Sequence, residues 1–152
     1  MGTWHFRRTS RPTINESIPR GQLVLIVEDH EDTKSCVAEQ LADYGFEVAT
    51  ASDGESALRL IRERRPALVY LDMNLPNVSG YDVCEQIRTD PLLQDIPVVM
   101  TSAHTSITVH AACIEAGADA FVPKPFQLDG FAQMIGRMIA RGADDARSPP
   151  SG

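Results

Sequence analysis

Short apolar runs of three to six residues, rich in β-branched side chains, alternate along this chain with stretches of helical spacing. The runs are Leu23-Val24-Leu25-Ile26-Val27, Phe46 to Ala51, Ala67-Leu68-Val69-Tyr70-Leu71, Ile96 to Met100 and Ala120-Phe121-Val122. A continuous run of that length reads as a strand buried on both faces and is far too short to cross a bilayer. The stretches between them read as helices. One starts near Asp32, carries Val37, Leu41 and Tyr44 on one face and stops at Gly45. Asp53 opens a second, with Ala57, Leu58 and Ile61, that ends before Pro66. A third carries Val83, Cys84 and Ile87 and is broken by Asp90-Pro91. Thr105 to Ala116, closed by Gly117, is the fourth, and Leu128, Phe131, Ile135 and Met138 mark the fifth. Each crossover is long enough to be helical, which makes the strands parallel. The expected fold class is α/β: an open, doubly wound sheet of five parallel strands with five helices.

The expected organisation is a flexible arm over residues 1–21, one domain over 22–140 and a flexible tail over 141–152 ending in Ser148-Pro149-Pro150-Ser151-Gly152. Charge follows these divisions. The net charge is −7. The arm is +3, from Arg7, Arg8, Arg11 and Arg20 against Glu16, and the tail is 0, from Arg141 and Arg147 against Asp144 and Asp145. The body therefore carries −10, a field that repels nucleic-acid phosphates and suits a hard divalent cation. The first twenty residues contain no apolar secretory segment. Cys36, Cys84 and Cys113 are odd in number, widely spaced and set among apolar residues, which points to buried, reduced thiols and a cytoplasmic setting. No direct nucleic-acid or membrane partner is expected.

In folds of this class, sites form beyond the carboxyl ends of the strands. Glu28-Asp29 follows the first strand, Asp72 the third, Thr101-Ser102 the fourth and Pro123-Lys124-Pro125 the fifth. The fold would thus gather three carboxylates, a hydroxyl and an ammonium at one end of the sheet. Clustered carboxylates repel one another, and Mg²⁺, which takes one or two carboxylates together with phosphate and water, relieves that repulsion. Asp72, in the middle, can act as a nucleophile toward a phosphoryl group. Lys124 would neutralise phosphoryl charge, and Ser102 could donate a hydrogen bond to it.

Several segments together resemble the receiver domain of bacterial two-component response regulators, of the single-domain, CheY-like type. They are Val24-Leu25-Ile26-Val27-Glu28-Asp29, then Leu71-Asp72-Met73-Asn74-Leu75-Pro76 with Gly80, then Val99-Met100-Thr101-Ser102-Ala103, then Ala116-Gly117-Ala118-Asp119 and Lys124-Pro125-Phe126. Each is weak alone; all of them in order, over roughly residues 22–140, make a specific signal. The resemblance implies the flavodoxin-like receiver fold. It also implies that Asp72 accepts a phosphoryl group from a sensor histidine kinase or histidine phosphotransfer protein. It assigns Mg²⁺ to Glu28, Asp29, Asp72 and the backbone carbonyl of Asn74. Ser102 becomes the switch hydroxyl, Lys124 the phosphate-pairing lysine preceding a cis bond to Pro125, and Phe121 the aromatic that changes rotamer. Glu28 replaces the commoner aspartate, Phe121 lacks a tyrosine hydroxyl, and His104 falls at the rim of the site. Phosphorylation would switch the surface over residues 105–140 for a downstream protein partner.

Such a chain is a signalling switch rather than an enzyme. A phosphorylation-independent pseudo-receiver is expected to lack at least one of the acidic pair, Asp72, Ser102 or Lys124, and all are present. A phosphohydrolase with an aspartyl nucleophile needs a second aspartate two residues on, where Asn74 stands. No dinucleotide or P-loop glycine motif occurs. The alternative reading is a receiver fragment of a larger regulator.

Overall fold

All the strands run in one direction because each return to the sheet is made by a helix. The computed structural model describes residues 21–104, 106–124 and 128–147. Chain order is β1 (Leu23–Val27), α1 (Glu31–Asp43), β2 (Glu47–Ala51), α2 (Gly54–Arg64), β3 (Leu68–Asp72), α3 (Gly80–Thr89), β4 (Val98–Ser102), α4 (Ile107–Glu115), β5 (Ala120–Pro123) and α5 (Leu128–Arg147). The five strands pair in parallel in the order β2-β1-β3-β4-β5. The chain winds one way from β1 to β2 and the other way from β3 onward. The switch point therefore lies between β1 and β3, where a crevice opens at the strands' carboxyl ends.

Side chains alternate across the sheet and divide the core in two. Leu25, Val27, Val69, Leu71 and Met100 face α2, α3 and α4, against Ile61, Val83, Ile87 and Cys113. Val24, Ile26, Leu68, Tyr70 and Val99 face α1 and α5, against Val37, Leu41, Phe131 and Ile135. Four helices begin on a side chain that accepts a backbone N–H of the first turn: His30 from Thr33, Asp53 from Ser56, Ser79 from Asp82 and Ser106 from Val109. Helices α1 and α4 both end in the same glycine turn. Gly45, at φ 101°, lets Phe46 N–H return to Leu41 O, and Gly117, at φ 108°, lets Ala118 N–H return to Cys113 O.

The structure moves several expected boundaries. Strand β4 begins at Val98 rather than Ile96, because Pro97 has no N–H for the ladder and contributes only its carbonyl, to Val69 N–H. It consequently ends on Ser102. Strand β3 runs one residue further than Leu71, to include Asp72. Helix α5 continues to Arg147, past the expected break at 140; Gly142 is tolerated in a stretch otherwise made of Ala, Asp and Arg. Cys36 is exposed, not buried: Val37 and Leu41 fill the core face of α1, and Cys36 lies about 100° around the helix from Val37. Cys84 and Cys113 are buried as expected. Residues 1–20, Thr105, the Lys124–Pro125 bond and residues 148–152 lie outside the described residues.

At the opposite, amino-terminal end of the sheet, Arg88 clasps three segments. Its guanidinium donates to Gly117 O at 2.8 Å, Ile96 O at 2.7 Å, Gln94 O at 3.0 Å and Asp119 Oδ2 at 2.7 Å. The same Asp119 oxygen accepts Val98 N–H and so starts β4. Arg88→Ala should lower unfolding free energy by about 2 kcal/mol, because it removes a donor from three carbonyls and the ion-pair partner from Asp119. Urea denaturation would read this, and a loss below about 0.5 kcal/mol would contradict the clasp.

Candidate functional site

The acidic end of the sheet is assembled by the first residues to leave the strands. Glu28 follows β1 directly, and its N–H extends the ladder to Ala51 O. That pairing directs the Glu28 side chain inward, where it is 1% exposed, while Asp29, the next residue, is exposed. Asp72 closes β3 and is also buried. Its register partner on β4 is Thr101, and Ser102 pairs with Pro123. Lys124 leaves β5 with its N–H on Ser102 O, and its side chain reaches back across the sheet.

Lys124 Nζ lies 2.8 Å from Glu28 Oε1 and 3.0 Å from Asp72 Oδ2. The second Asp72 oxygen, Oδ1, accepts Asn74 N–H at 3.0 Å. His30 N–H donates to Glu28 Oε2 at 3.2 Å, and the Tyr70 hydroxyl lies 3.3 Å from Glu28 Oε1. Glu28, Asp29 and Asp72 each bring one carboxylate oxygen within 4.8 Å of the others. Ser102 is fully buried, and its Oγ accepts His104 N–H at 3.0 Å, which leaves its own proton free to be donated. His104 itself is exposed, at the rim as expected. Phe121 is half-buried on β5, stacked on His110 of α4 with ring centroids 5.1 Å apart.

Gly80 holds the Asp72 segment against the start of α3. Its N–H bonds Met73 O, and a Cβ here would collide with the Asp72 carbonyl and lie 2.7 Å from Met73 Cα. Only a residue without a side chain permits that approach.

Every site residue expected from the sequence lies at this end of the sheet, and Lys124, Glu28 and Asp72 are in direct contact. Tyr70 is a site neighbour that the sequence pattern does not disclose, because strand alternation assigns it to the core. The available signal was a phenol in an otherwise aliphatic strand, two residues before Asp72.

Among the described residues, one ammonium faces three carboxylates at this site, which leaves their charge under-neutralised. Burial pushes the Glu28 carboxyl above its ordinary value; the Lys124 hydrogen bond opposes this without cancelling it, and the nearby Asp72 charge adds to the rise. Burial alone would lower Lys124, but its hydrogen bonds to Glu28 and Asp72, and their charges, hold it above the usual lysine value. Hard oxygen donors with excess negative charge are what a small divalent cation requires, so the residues present fit such an ion.

A family model for the response regulator receiver domain matches residues 24–136. The chain belongs to the response regulator receiver domain family. Among curated relatives of this receiver, response regulator MprA of Mycobacterium sp. (strain KMS) is 33% identical over 122 residues, covering 80% of this chain and 52% of that protein. The "Probable transcriptional regulator ycf27" of Guillardia theta is 40% identical over 103 residues, covering 68% of this chain and 39% of that protein. The receiver thus spans about half or less of the length of these two relatives. Among solved structures, the receiver domain of NtrX from Brucella abortus is 35% identical at a TM-score of 0.69, over 78% of this chain and 98% of that one. The receiver domain of sensor histidine kinase PA1611 from Pseudomonas aeruginosa, which holds a magnesium ion in its active-site cleft, is 26% identical at a TM-score of 0.73, over 78% of this chain and 98% of that one.

Because the folded state raises the Glu28 value, protonated Glu28 favours folding below the unfolded value of 4.5, and that contribution is lost as pH rises through the folded value. Ionised Glu28 is therefore a net cost at neutral pH. In metal-free buffer Glu28→Gln should melt a few degrees above wild type near pH 7, and the gap should close near pH 4. A variant that melts lower than wild type at neutral pH would contradict this sign.

Proposed function

We propose that this receiver is a phosphorylation-controlled switch. Asp72 takes a phosphoryl group from the phosphohistidine of a sensor histidine kinase or histidine phosphotransfer protein. The observation that carries this reading is the Asp72 carboxylate itself. It is buried at the switch point, with one oxygen on Lys124 and the other on Asn74 N–H, beside Glu28 and Asp29.

In this reading an Asp72 oxygen attacks phosphorus in line with the phosphohistidine nitrogen. The P–O bond forms, the P–N bond breaks, and the bonding pair leaves with the imidazole, which takes up a proton. Lys124 follows the developing charge from the carboxylate to the phosphoryl oxygens, and the Ser102 hydroxyl donates to one of them. Glu28, Asp29, Asp72 and the Asn74 carbonyl would hold Mg²⁺, which, when bound, neutralises charge on the transferring group. The buried position of Asp72 limits access for water, and exposed His104 stands where water would approach.

Once Ser102 bonds the phosphoryl group, β4 and the turn after it tighten toward Asp72. Phe121 can then move inward and leave its stack on His110. The surface over residues 105–140 changes shape, and a downstream protein reads the change. Among the described residues no helix is long and apolar enough to cross a membrane. A cytoplasmic phosphorelay is the setting this chemistry fits. The length of the relatives supports a second arrangement, in which a receiver of this kind is one part of a larger regulator and a further domain carries the output.

Incubation with Mg²⁺ and acetyl phosphate, followed by intact mass measurement, tests the proposal. Wild type should gain one phosphoryl group, and Asp72→Asn should gain none. Equal labelling of both proteins, or none of wild type by either acetyl phosphate or a phosphorylated histidine donor, would overturn it.

A further inference from the structure

Tyr70 occupies β3 two residues before Asp72 and is fully buried on the face toward α1 and α5. Its strand neighbours Leu68, Val69 and Leu71 are aliphatic, and an apolar residue would serve packing alone. A phenolic hydroxyl removed from water costs free energy unless it meets a partner. Here it points at the acidic site, 3.3 Å from Glu28 Oε1, the same oxygen that receives Lys124 at 2.8 Å. The ring meets Phe131 of α5 edge to face, with centroids 5.5 Å apart and planes at 84°. Phe131 is itself buried. One side chain therefore touches the site with its tip and α5 with its ring.

We propose that Tyr70 is a positioning residue for Glu28 and links occupancy of the acidic site to α5. The inference rests on the reading of Asp72 as phosphoacceptor and of the carboxylates as a Mg²⁺ site. Lys124 is shared between Glu28 and Asp72. A phosphoryl group on Asp72 competes for that ammonium, and Glu28 then loses its charged donor. The Tyr70 hydroxyl is enclosed between Glu28 and Thr101 and remains within reach of Glu28. At 3.3 Å the contact is long for a hydroxyl donor, so it can shorten as Lys124 withdraws. A shortening of a few tenths of an ångström carries the ring with it. Because interiors are close-packed, Phe131 must follow or lose its edge contact. This route runs through the α1/α5 layer of the core. Phe121 belongs to the other layer, with α2, α3 and α4, so the two aromatics report the same site on opposite faces of the sheet.

The test compares the full chain as wild type, Tyr70→Phe and Phe131→Leu. Mg²⁺ affinity is measured by calorimetry, and α5 amide shifts by NMR, with Mg²⁺ alone and with Mg²⁺ plus beryllofluoride as the phosphoryl mimic. Tyr70→Phe should weaken Mg²⁺ binding about three- to tenfold, the loss of one hydrogen bond to a charged group. It should also remove most of the α5 response while sparing that of α4 and β5. Phe131→Leu should keep Mg²⁺ affinity within about twofold and still lose the α5 response, since the hydroxyl remains and only the ring contact goes. Wild-type affinity together with an undiminished α5 response in Tyr70→Phe would overturn the inference. Should Tyr70→Phe fail to fold, an undiminished α5 response in Phe131→Leu would overturn it alone. If wild type binds neither Mg²⁺ nor beryllofluoride, the underlying site reading fails instead, a separate outcome.

Discussion

The Lys124 ammonium, held between two carboxylates that the fold has taken out of water, is the interaction on which the rest of this receiver turns. Its two partners follow β1 and close β3 while the lysine itself leaves β5, so the contact forms only when the doubly wound order β2-β1-β3-β4-β5 is complete. The contact is electrostatically insufficient as well as central. One positive charge cannot satisfy Glu28, Asp29 and Asp72, and burial holds Glu28 above its ordinary carboxyl range despite the lysine. A hydrophobic cluster in the same place would give a more stable protein and no chemistry. The stored repulsion is what gives a divalent cation and a phosphoryl group their reason to bind.

The surrounding structure keeps that cluster from relaxing. Gly80 lets α3 press on the carbonyl of Asp72, and Asn74 N–H fixes one of its oxygens. His30, which caps α1 with its imidazole, also gives its backbone N–H to Glu28. Asp29, by contrast, stays exposed and free to meet an incoming ion. Arg88, at the far end of the sheet, fixes the start of β4 through Asp119 and Ile96. With its start fixed, that strand delivers Thr101 and Ser102 at a defined height beside Asp72.

Much of this was legible in the sequence because strands buried on both faces leave an unmistakable pattern. Runs such as Leu23 to Val27 cannot be surface strands, and the acidic or hydroxyl residue after each of the first four runs marks its carboxyl end. Strand limits were less legible: Ile96 looks like strand, yet Pro97 delays the ladder to Val98. The exposure of Cys36 is not legible, because neighbouring apolar letters do not show which side of a helix a residue occupies. The Arg88 clasp was invisible, since its acceptors are mainly backbone carbonyls, which carry no sequence signature. Tyr70 was concealed by the same periodicity that revealed its strand. The hydroxyl extends past the core layer to Glu28, a distance that alternation alone does not report.

Unfolding free energy of wild type and Lys124→Met, each with and without saturating Mg²⁺, tests the central claim most directly. Without metal, removal of the ammonium should cost about 2 kcal/mol, because two buried carboxylates lose their partner. Mg²⁺ should stabilise both proteins and recover more than half of that loss, since it supplies the charge that Lys124 no longer does. An identical loss in both conditions, or no stabilisation of either protein by Mg²⁺, would contradict the account of a site built around unneutralised carboxylates.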